Sequence, residues 1–285
     1  MKTRLLSLAF TAVAALAFVG MLALFVVQSV PVWSHAGLGF LAGKSWFFRA
    51  GQFGVLPMVY GTLAVSGIAL LAAAPLGIGA AVFTAEILPR KARLAVKTAV
   101  ELLAGIPSVV YGLLGVLLLR DWVYRLLTPW DPLSGDTLLT GGLLLGVMVL
   151  PTVITLADDA LAGVPAAHRL AARSLGLTRA ETAVRVSLRQ AFPGLVSAIL
   201  LGLGRALGET IAVFLVVGRQ DNQWPSLAGA GQTITTKLGG SETFLAYGEP
   251  LHWGAMMGLA LVLFGLVTVV SLAGARLALR GGDRA

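Results

Sequence analysis

Six apolar runs alternate with shorter polar segments along the chain. A helix needs roughly 20 apolar residues to cross the hydrocarbon core of a bilayer, and these runs are close to that length or longer. They leave no long polar stretch for a second domain, so we expect residues 1–285 to form a single all-α integral membrane domain. The pattern predicts six membrane-spanning helices over residues 5–27, 57–88, 98–119, 141–157, 192–218 and 251–279.

Composition and charge placement agree with a membrane chain. The hydrophobic fraction is 57%, only 12% of the residues are charged, and the mean hydropathy is +0.88. A net charge of +8 is also found in nucleic-acid-binding proteins, but fourteen of the 21 lysines and arginines lie in segments on the same side as the N-terminus. Because basic residues concentrate on the cytoplasmic side, both termini are expected in the cytoplasm. The excess of basic residues therefore indicates the membrane topology, and no nucleic-acid partner is expected.

Cofactor motifs are weak throughout the sequence. His35, His168 and His252 lie in separate segments without metal-ligand spacing, and the chain has no cysteine, so no metal site is expected. The segment "GLGFLAGKS" has the composition of a phosphate-binding loop, which needs four residues between its first glycine and Gly-Lys-Ser. Gly39 leaves three residues and Gly37 leaves five. This chain is therefore expected to bind no nucleotide.

The segment "GLGRALGETIAVF" places Arg205 near the middle of an apolar run. An arginine at that depth costs about 2.5–3.5 kcal/mol and usually faces a partner or an aqueous path. Residues i and i+4 share a helix face, which predicts an ion pair with Glu209. The pair either locks helix packing or lines a path where the guanidinium binds an oxyanion bidentately, and we favour the path. Gly204 and Gly208 form a GxxxG pattern that predicts close approach of another helix.

The remaining carboxylates of the spans are expected to be structural. Glu86 and Glu101 lie near cytoplasmic span ends, where solvation is the expectation. Asp158 and Asp159 are adjacent and point to different sides of a helix, so they mark a span end rather than a paired acid-base site.

Two loops carry further signals. The inside loop, residues 158–190, has apolar residues at near-helical spacing and predicts two short amphipathic helices. Such helices lie on lipid headgroups or dock in a groove of a partner protein. The outside loop around Gln232 to Thr236 is long enough to fold back against a partner protein or the pore.

The inside loop and the next span carry a family resemblance. The segment "AAHRLAARSLGLTRAETAVRVSLRQAFPGLVSAILLGLGRALGET" resembles the EAA loop and following span of ABC importer permeases, most closely the phosphate-specific permeases of the PstC and PstA type. Ala171, Ala172 and Gly176 stand at the motif's two alanines and glycine, whereas Leu170 replaces its glutamate and Arg189 its usual proline. The segments "FGVLPMVYGTLAVSGIALLAAAPLGIGAAVFTAEI", "ELLAGIPSVVYGLLG" and "RALGETIAVFLVVG" are more similar to the PstC subunit.

This resemblance implies a type I ABC importer permease with six spans and cytoplasmic coupling helices in a bacterial inner membrane. It implies phosphate translocation past Arg205 and Glu209, by a subunit that is not itself an enzyme. The implied partners are a PstA-like permease subunit, an extracytoplasmic phosphate-binding protein, membrane lipid and a cytoplasmic ATPase dimer that holds ATP and magnesium. The residues implied in contact with that ATPase are Leu170, Ala171, Ala172 and Gly176.

Two other functions remain open on the sequence. An arginine-bearing path recognises charge more readily than identity, so a permease for sulfate, molybdate or tungstate is the nearest alternative. An ion-coupled secondary carrier with Glu209 as its proton site is the alternative from a different class. That carrier would work without ATPase partners and usually has repeated halves.

Overall fold

A computed structural model of the chain describes residues 2–130, 134–221 and 226–282. These residues are mostly helical, with one small antiparallel hairpin, β1 (Trp46–Phe47) and β2 (Gln52–Phe53). The helices are α1 (Lys2–Ala36), α2 (Gly39–Ala42), α3 (Leu56–Val82), α4 (Arg90–Ala104), α5 (Ser108–Leu114), α6 (Arg120–Leu127), α7 (Leu138–Ala162), α8 (Ala166–Ser174), α9 (Arg179–Thr182), α10 (Leu188–Gly208), α11 (Ile211–Val216), α12 (Ile234–Leu238), α13 (Glu242–Ala246) and α14 (Pro250–Gly282).

Within the described ranges, five helices are long and apolar enough to cross a membrane, or six if one bent pair counts as a span. The first continues to Ala36, past the predicted end at residue 27. The reason is that polar residues beyond the apolar run have partners. The Trp253 indole N–H donates to Gln28 Oε1 at 2.6 Å, and the Ser29 hydroxyl donates to the Val26 carbonyl at 2.9 Å.

The apolar run at residues 98–119 is not one straight helix. Helix α4 meets the helical stretch Ser108–Leu127 at an angle of 87°. Pro107 begins the second stretch, has no backbone N–H to donate, and restricts the residue before it to extended conformations. The run is therefore divided between the amphipathic helix α4 and the stretch Ser108–Leu127, and the two are apolar and long enough for a span only when taken together.

The run at residues 192–218 is also divided. A continuous helix runs from Arg179 to Gly208 through a π-helical turn at Ala183–Ser187, and the chain then breaks before α11. The inside loop is shorter than the predicted 158–190, because α7 extends to Ala162 and α9 joins the next span. Of the two amphipathic helices expected there, α8 alone stands free among the described residues.

The centre of the fold is the packing of α3, α7 and α10, with α1 lying against α14 at the periphery. Helices α3 and α7 approach closely where glycines face branched side chains. A Cβ added at Gly77 would lie 2.8 Å from Val153 Cγ1, and one at Gly142 would lie 2.6 Å from Ile68 Cβ. Small residues at such contacts let membrane helices pack without a hydrophobic driving force.

Candidate translocation site

Arg205 lies in the last turn of α10, one turn before the chain leaves the helix. Its side chain is exposed in the isolated subunit, and its Nη1 donates a hydrogen bond to Thr152 Oγ1 of α7 at 3.1 Å. A guanidinium has five N–H donors. No other hydrogen bond and no ion pair joins Arg205 to the described residues. Most of its donors therefore have no partner among the described residues.

Glu209 does not share a helix face with Arg205, and the predicted ion pair between them is wrong for the described residues. Helix α10 ends at Gly208, and Glu209 is extended with φ −72° and ψ 127°. Its carboxylate accepts from the backbone N–H of Ala212 at 3.4 Å, at the start of α11. Its carbonyl accepts from the Thr235 hydroxyl at 2.8 Å. Because α10 ends at Gly208, Glu209 does not follow the helical spacing from Arg205. Both residues still lie at the same interruption of the span.

The outer loop folds back onto this interruption, which is one of the two placements the sequence left open. Helix α12 is buried, and the backbone N–H of Ile234 donates to Thr62 Oγ1 of α3 at 2.9 Å. Thr235 holds the carbonyl of Glu209 from the same helix. The loop therefore supports the broken segment from the outer side.

The glycines of the GxxxG pattern are not covered by another helix of the described chain. A Cβ added at Gly204 or Gly208 would meet no atom within 4 Å. The close helix contact predicted here is therefore absent within the described residues, and this face of α10 is open to a second chain.

Helix α8 presents the loop residues of the EAA resemblance. Leu170 is 63% exposed and Leu175 at its end is 81% exposed, while Ala172 is buried against the rest of the loop. Ala171 is exposed as well. Gly176 ends the helix with a left-handed φ of +88°, a conformation that side chains with a Cβ rarely adopt. The result is a short helix with an apolar outward face.

Glu86 is buried, so the expected solvated carboxylate is wrong at this position. Its side chain is 3% exposed and accepts from Arg169 Nε of α8 at 2.9 Å. Glu101, by contrast, is exposed as expected. Arg169 has no local signal in the sequence, because its partner lies 83 residues away.

Asp158 lies near the end of α7, as expected, but it is buried and paired. Its carboxylate accepts from Arg93 at 2.8 Å and from the Thr84 hydroxyl at 3.2 Å, while Asp159 pairs with Lys97 at 2.7 Å. Lys97 also lies 4.0 Å from Asp158, so the two aspartates share this cation. These contacts fix the amphipathic helix α4 against α7 and α3.

A second charged group, which we call the outer cluster, comprises Lys237, Asp221, Glu242, His252 and Trp46. Lys237 is 2% exposed and donates to Asp221 at 2.6 Å and to Glu242, and its ammonium lies 4.8 Å from the Trp46 ring centroid. The indole of Trp46 and the ring of His252 also bond Glu242. Burial raises the pKa of Asp221 although Lys237 acts against it. Burial acts to raise the pKa of Glu242 too, but hydrogen bonding and the charge of Lys237 lower it.

Metal chemistry has no support in the described ranges, where no group of His, Asp and Glu side chains is arranged to hold a metal ion. Among the described residues, the buried carboxylates of Glu86 and Asp158 pair with arginine or lysine side chains, whereas Arg205 makes a single hydrogen bond.

Comparison with known proteins gives a consistent assignment. A family model described as "Binding-protein-dependent transport system inner membrane component" matches residues 73–280. The phosphate transport system permease protein PstC of Mesorhizobium japonicum is 36% identical over 259 residues, which cover 85% of this chain and 78% of that protein. The probable ABC transporter permease protein YqgH of Bacillus subtilis is 35% identical over 249 residues, covering 86% of this chain and 79% of that protein.

The fold agrees with solved importers. A chain of the MetNI methionine ABC transporter, in its inward-facing conformations, has a TM-score of 0.61 at 20% identity, covering 80% of this chain and 95% of that chain. At this identity the likeness concerns the fold, which is that of a type I ABC importer permease. The chain therefore belongs to the family of inner membrane components of binding-protein-dependent transport systems and is a multi-pass transport subunit rather than an enzyme.

Proposed function

We propose that this chain is one permease subunit of an ATP-driven importer that moves inorganic phosphate across a bacterial cytoplasmic membrane. The observation that carries the proposal is the Arg205 guanidinium, which lies beside the break in its span and makes a single hydrogen bond among the described residues. A guanidinium with free donors binds an oxyanion bidentately. The similarity to a protein named for phosphate transport supports phosphate as that anion.

Glu209 favours an anion that carries a proton. Hydrogen phosphate can donate its proton to a carboxylate while its other oxygens accept from a guanidinium, whereas sulfate has no proton to donate at neutral pH. A carboxylate beside the path therefore repels sulfate without penalising phosphate to the same degree. Glu209 is thus the residue proposed to separate phosphate from sulfate, molybdate and tungstate.

The remaining surfaces fit the partners of an importer. The open face of α10 at Gly204 and Gly208 suits close approach of a related, PstA-like permease chain. Helix α8, with exposed Leu170 and Leu175, suits insertion into a groove of a cytoplasmic ATPase dimer that binds ATP and magnesium. Docking involves Leu170, Ala171, Ala172 and Gly176, and both termini lie on the same cytoplasmic side. An extracytoplasmic phosphate-binding protein delivers the anion from the outside.

Transport follows from alternation between two states. ATP binding closes the ATPase dimer and displaces α8, and the spans change from one opening to the other around the break at Glu209. A low affinity at Arg205 is required, because an anion held tightly in the path would not leave. The chain makes and breaks no covalent bond with the anion.

ATP dependence tests this proposal against the ion-coupled carrier. The complete importer, reconstituted in vesicles with the ATPase facing the medium that contains ATP, is expected to move labelled phosphate away from the side of the binding protein. Removing ATP or replacing it with a non-hydrolysable analogue is expected to stop transport. Phosphate movement by this chain alone, driven by an imposed proton gradient, would contradict the proposal.

A further inference from the structure

Arg169 of α8 joins four parts of the cytoplasmic surface. Its Nε donates to Glu86 at 2.9 Å and to the Ser187 hydroxyl at 3.3 Å. Its Nη2 donates to the Leu161 carbonyl at 2.5 Å and its Nη1 to the Val164 carbonyl at 3.2 Å. One side chain therefore contacts the inner ends of α3, α7 and the span that contains α10.

The ion pair of Arg169 and Glu86 is sheltered from solvent. The Glu86 side chain is 3% exposed and that of Arg169 is 20% exposed. A buried carboxylate without a compensating cation is strongly unfavourable, so separating Glu86 from Arg169 is costly. The Leu161 carbonyl belongs to the last turn of α7, where backbone acceptors have no partner within the helix. Arg169 thus also completes the end of α7.

Both side chains that meet Arg169 Nε come from π-helical turns. Glu86 lies in the turn Phe83–Ile87 at the end of α3, and Ser187 lies in the turn Ala183–Ser187 that leads into α10. Such turns are wider than an α-helix and are frequent at functional positions. A displacement of Arg169 therefore acts on two helices at the points where their backbone hydrogen bonding is least regular.

The outward face of α8 is separate from this contact. Leu170 follows Arg169 by one residue, about 100° around the helix, and is 63% exposed. The link from His168 Nδ1 to Gln190 Oε1, at 2.8 Å, joins the same helix to α10, but it is exposed and carries no buried charge. The ion pair of Arg169 and Glu86 is a buried charged contact between α8 and the end of α3.

We propose that this ion pair is the joint that transmits displacement of α8 to the membrane helices and so sets how much phosphate is imported per ATP hydrolysed. The inference rests on the proposed function for docking of an ATPase at α8. Arg169 and Glu86 are positioning residues, and they do not contact the transported anion.

The test measures phosphate uptake and ATP hydrolysis on the same preparation of the complete reconstituted importer. Glu86→Gln keeps the side-chain shape and removes the charge, and it is expected to assemble, to hydrolyse ATP, and to import at least tenfold less phosphate per ATP. Arg169→Lys keeps the charge with fewer hydrogen bonds and is expected to lose about threefold. Glu101→Gln removes an exposed carboxylate of α4 and is expected to leave the ratio unchanged.

An unchanged ratio in assembled Glu86→Gln would overturn the proposal. So would a loss of uptake and hydrolysis in equal proportion, because that result describes a structural role. If Glu86→Gln does not assemble, the amount of phosphate imported per ATP by Arg169→Lys tests the proposal by the same criteria.

A second readout does not depend on the transported anion. The chain has no cysteine, so Leu71→Cys, at an exposed position of α3, gives one labelling site in this subunit. With partner subunits freed of accessible cysteines, a fluorophore there is expected to respond to ATP, and Glu86→Gln is expected to abolish the response. A response that persists in Glu86→Gln would overturn the proposal that this ion pair transmits the displacement of α8. If the unmodified importer responds to ATP but does not take up phosphate, the phosphate assignment is refuted and the proposed role of the ion pair is not.

Discussion

An importer that carries Arg205→Gln is expected to assemble normally and to lose phosphate uptake by roughly 30-fold or more. Glutamine keeps a polar side chain, two bonds shorter, but it lacks the charge and the planar fork that bind an oxyanion. Loss of a charged hydrogen-bonding partner costs about 2–5 kcal/mol. Each 1.4 kcal/mol corresponds to a factor of ten, which gives the expected loss.

The matched control for this variant is Arg125→Gln. Arg125 is an exposed arginine of α6, away from the break in the span, and its replacement is expected to leave uptake within twofold. Assembly is monitored by co-purification of the partner subunits. If the assembled Arg205→Gln importer takes up phosphate at the original rate, Arg205 does not bind the anion in the translocation path.

Replacing Lys237 by methionine is expected to destabilise the importer by about 3–5 kcal/mol. The change leaves Asp221 and Glu242 side by side without the cation that both contact, and removing one partner from a buried ion pair has a cost of this size. Thermal unfolding of the purified complex in detergent measures the effect. Lys91→Met, at an exposed position of α4, is the control and is expected to change stability little.

Neutralising a carboxylate tests the cause of this loss. Adding Asp221→Asn to Lys237→Met is expected to restore part of the stability, because one unpaired negative charge is removed. Lowering the pH is expected to do the same, since burial already raises the pKa of Asp221 and the carboxyl takes up a proton more readily. If the Lys237→Met importer unfolds at the same temperature as the original, Lys237 does not stabilise the outer cluster.

The arrangement of the spans can be predicted from the lengths of the apolar runs, but the positions at which the helices end cannot. Helix α1 continues through Gln28 because the indole of Trp253, 225 residues away, donates to its amide. The bend before Ser108 has a local signal in Pro107, but a proline inside a span is also compatible with a straight path, as Pro75 within α3 shows. Hydropathy alone does not separate these outcomes.

The sequence draws attention to Arg205 and Glu209 but does not predict their geometry. Arg205 in the middle of an apolar run is a strong signal, since burial of an arginine in a membrane needs a reason. The ion pair with Glu209 assumed a continuous helix, whereas the chain leaves the helix after Gly208. Glycine has low helix propensity and favours helix ends, so Gly208 was the available sign of the break.

The ion pairs of Glu86 and Asp158 depend on tertiary contacts. Glu86 and Arg169 are 83 residues apart, and Asp158 and Arg93 are 65 residues apart, so neither pair has a local pattern. A weaker signal existed for Asp158. It lies three residues before the apolar Leu161 and shares a helical face with it, which indicates burial.

Uptake of labelled phosphate tests the central claim most directly. Cells that lack their own high-affinity phosphate system would receive this chain together with its partner permease, ATPase and binding protein. The account predicts phosphate uptake that excess arsenate suppresses and excess sulfate does not, because arsenate shares the shape and protonation of phosphate. Uptake of sulfate, molybdate or tungstate in place of phosphate would contradict it.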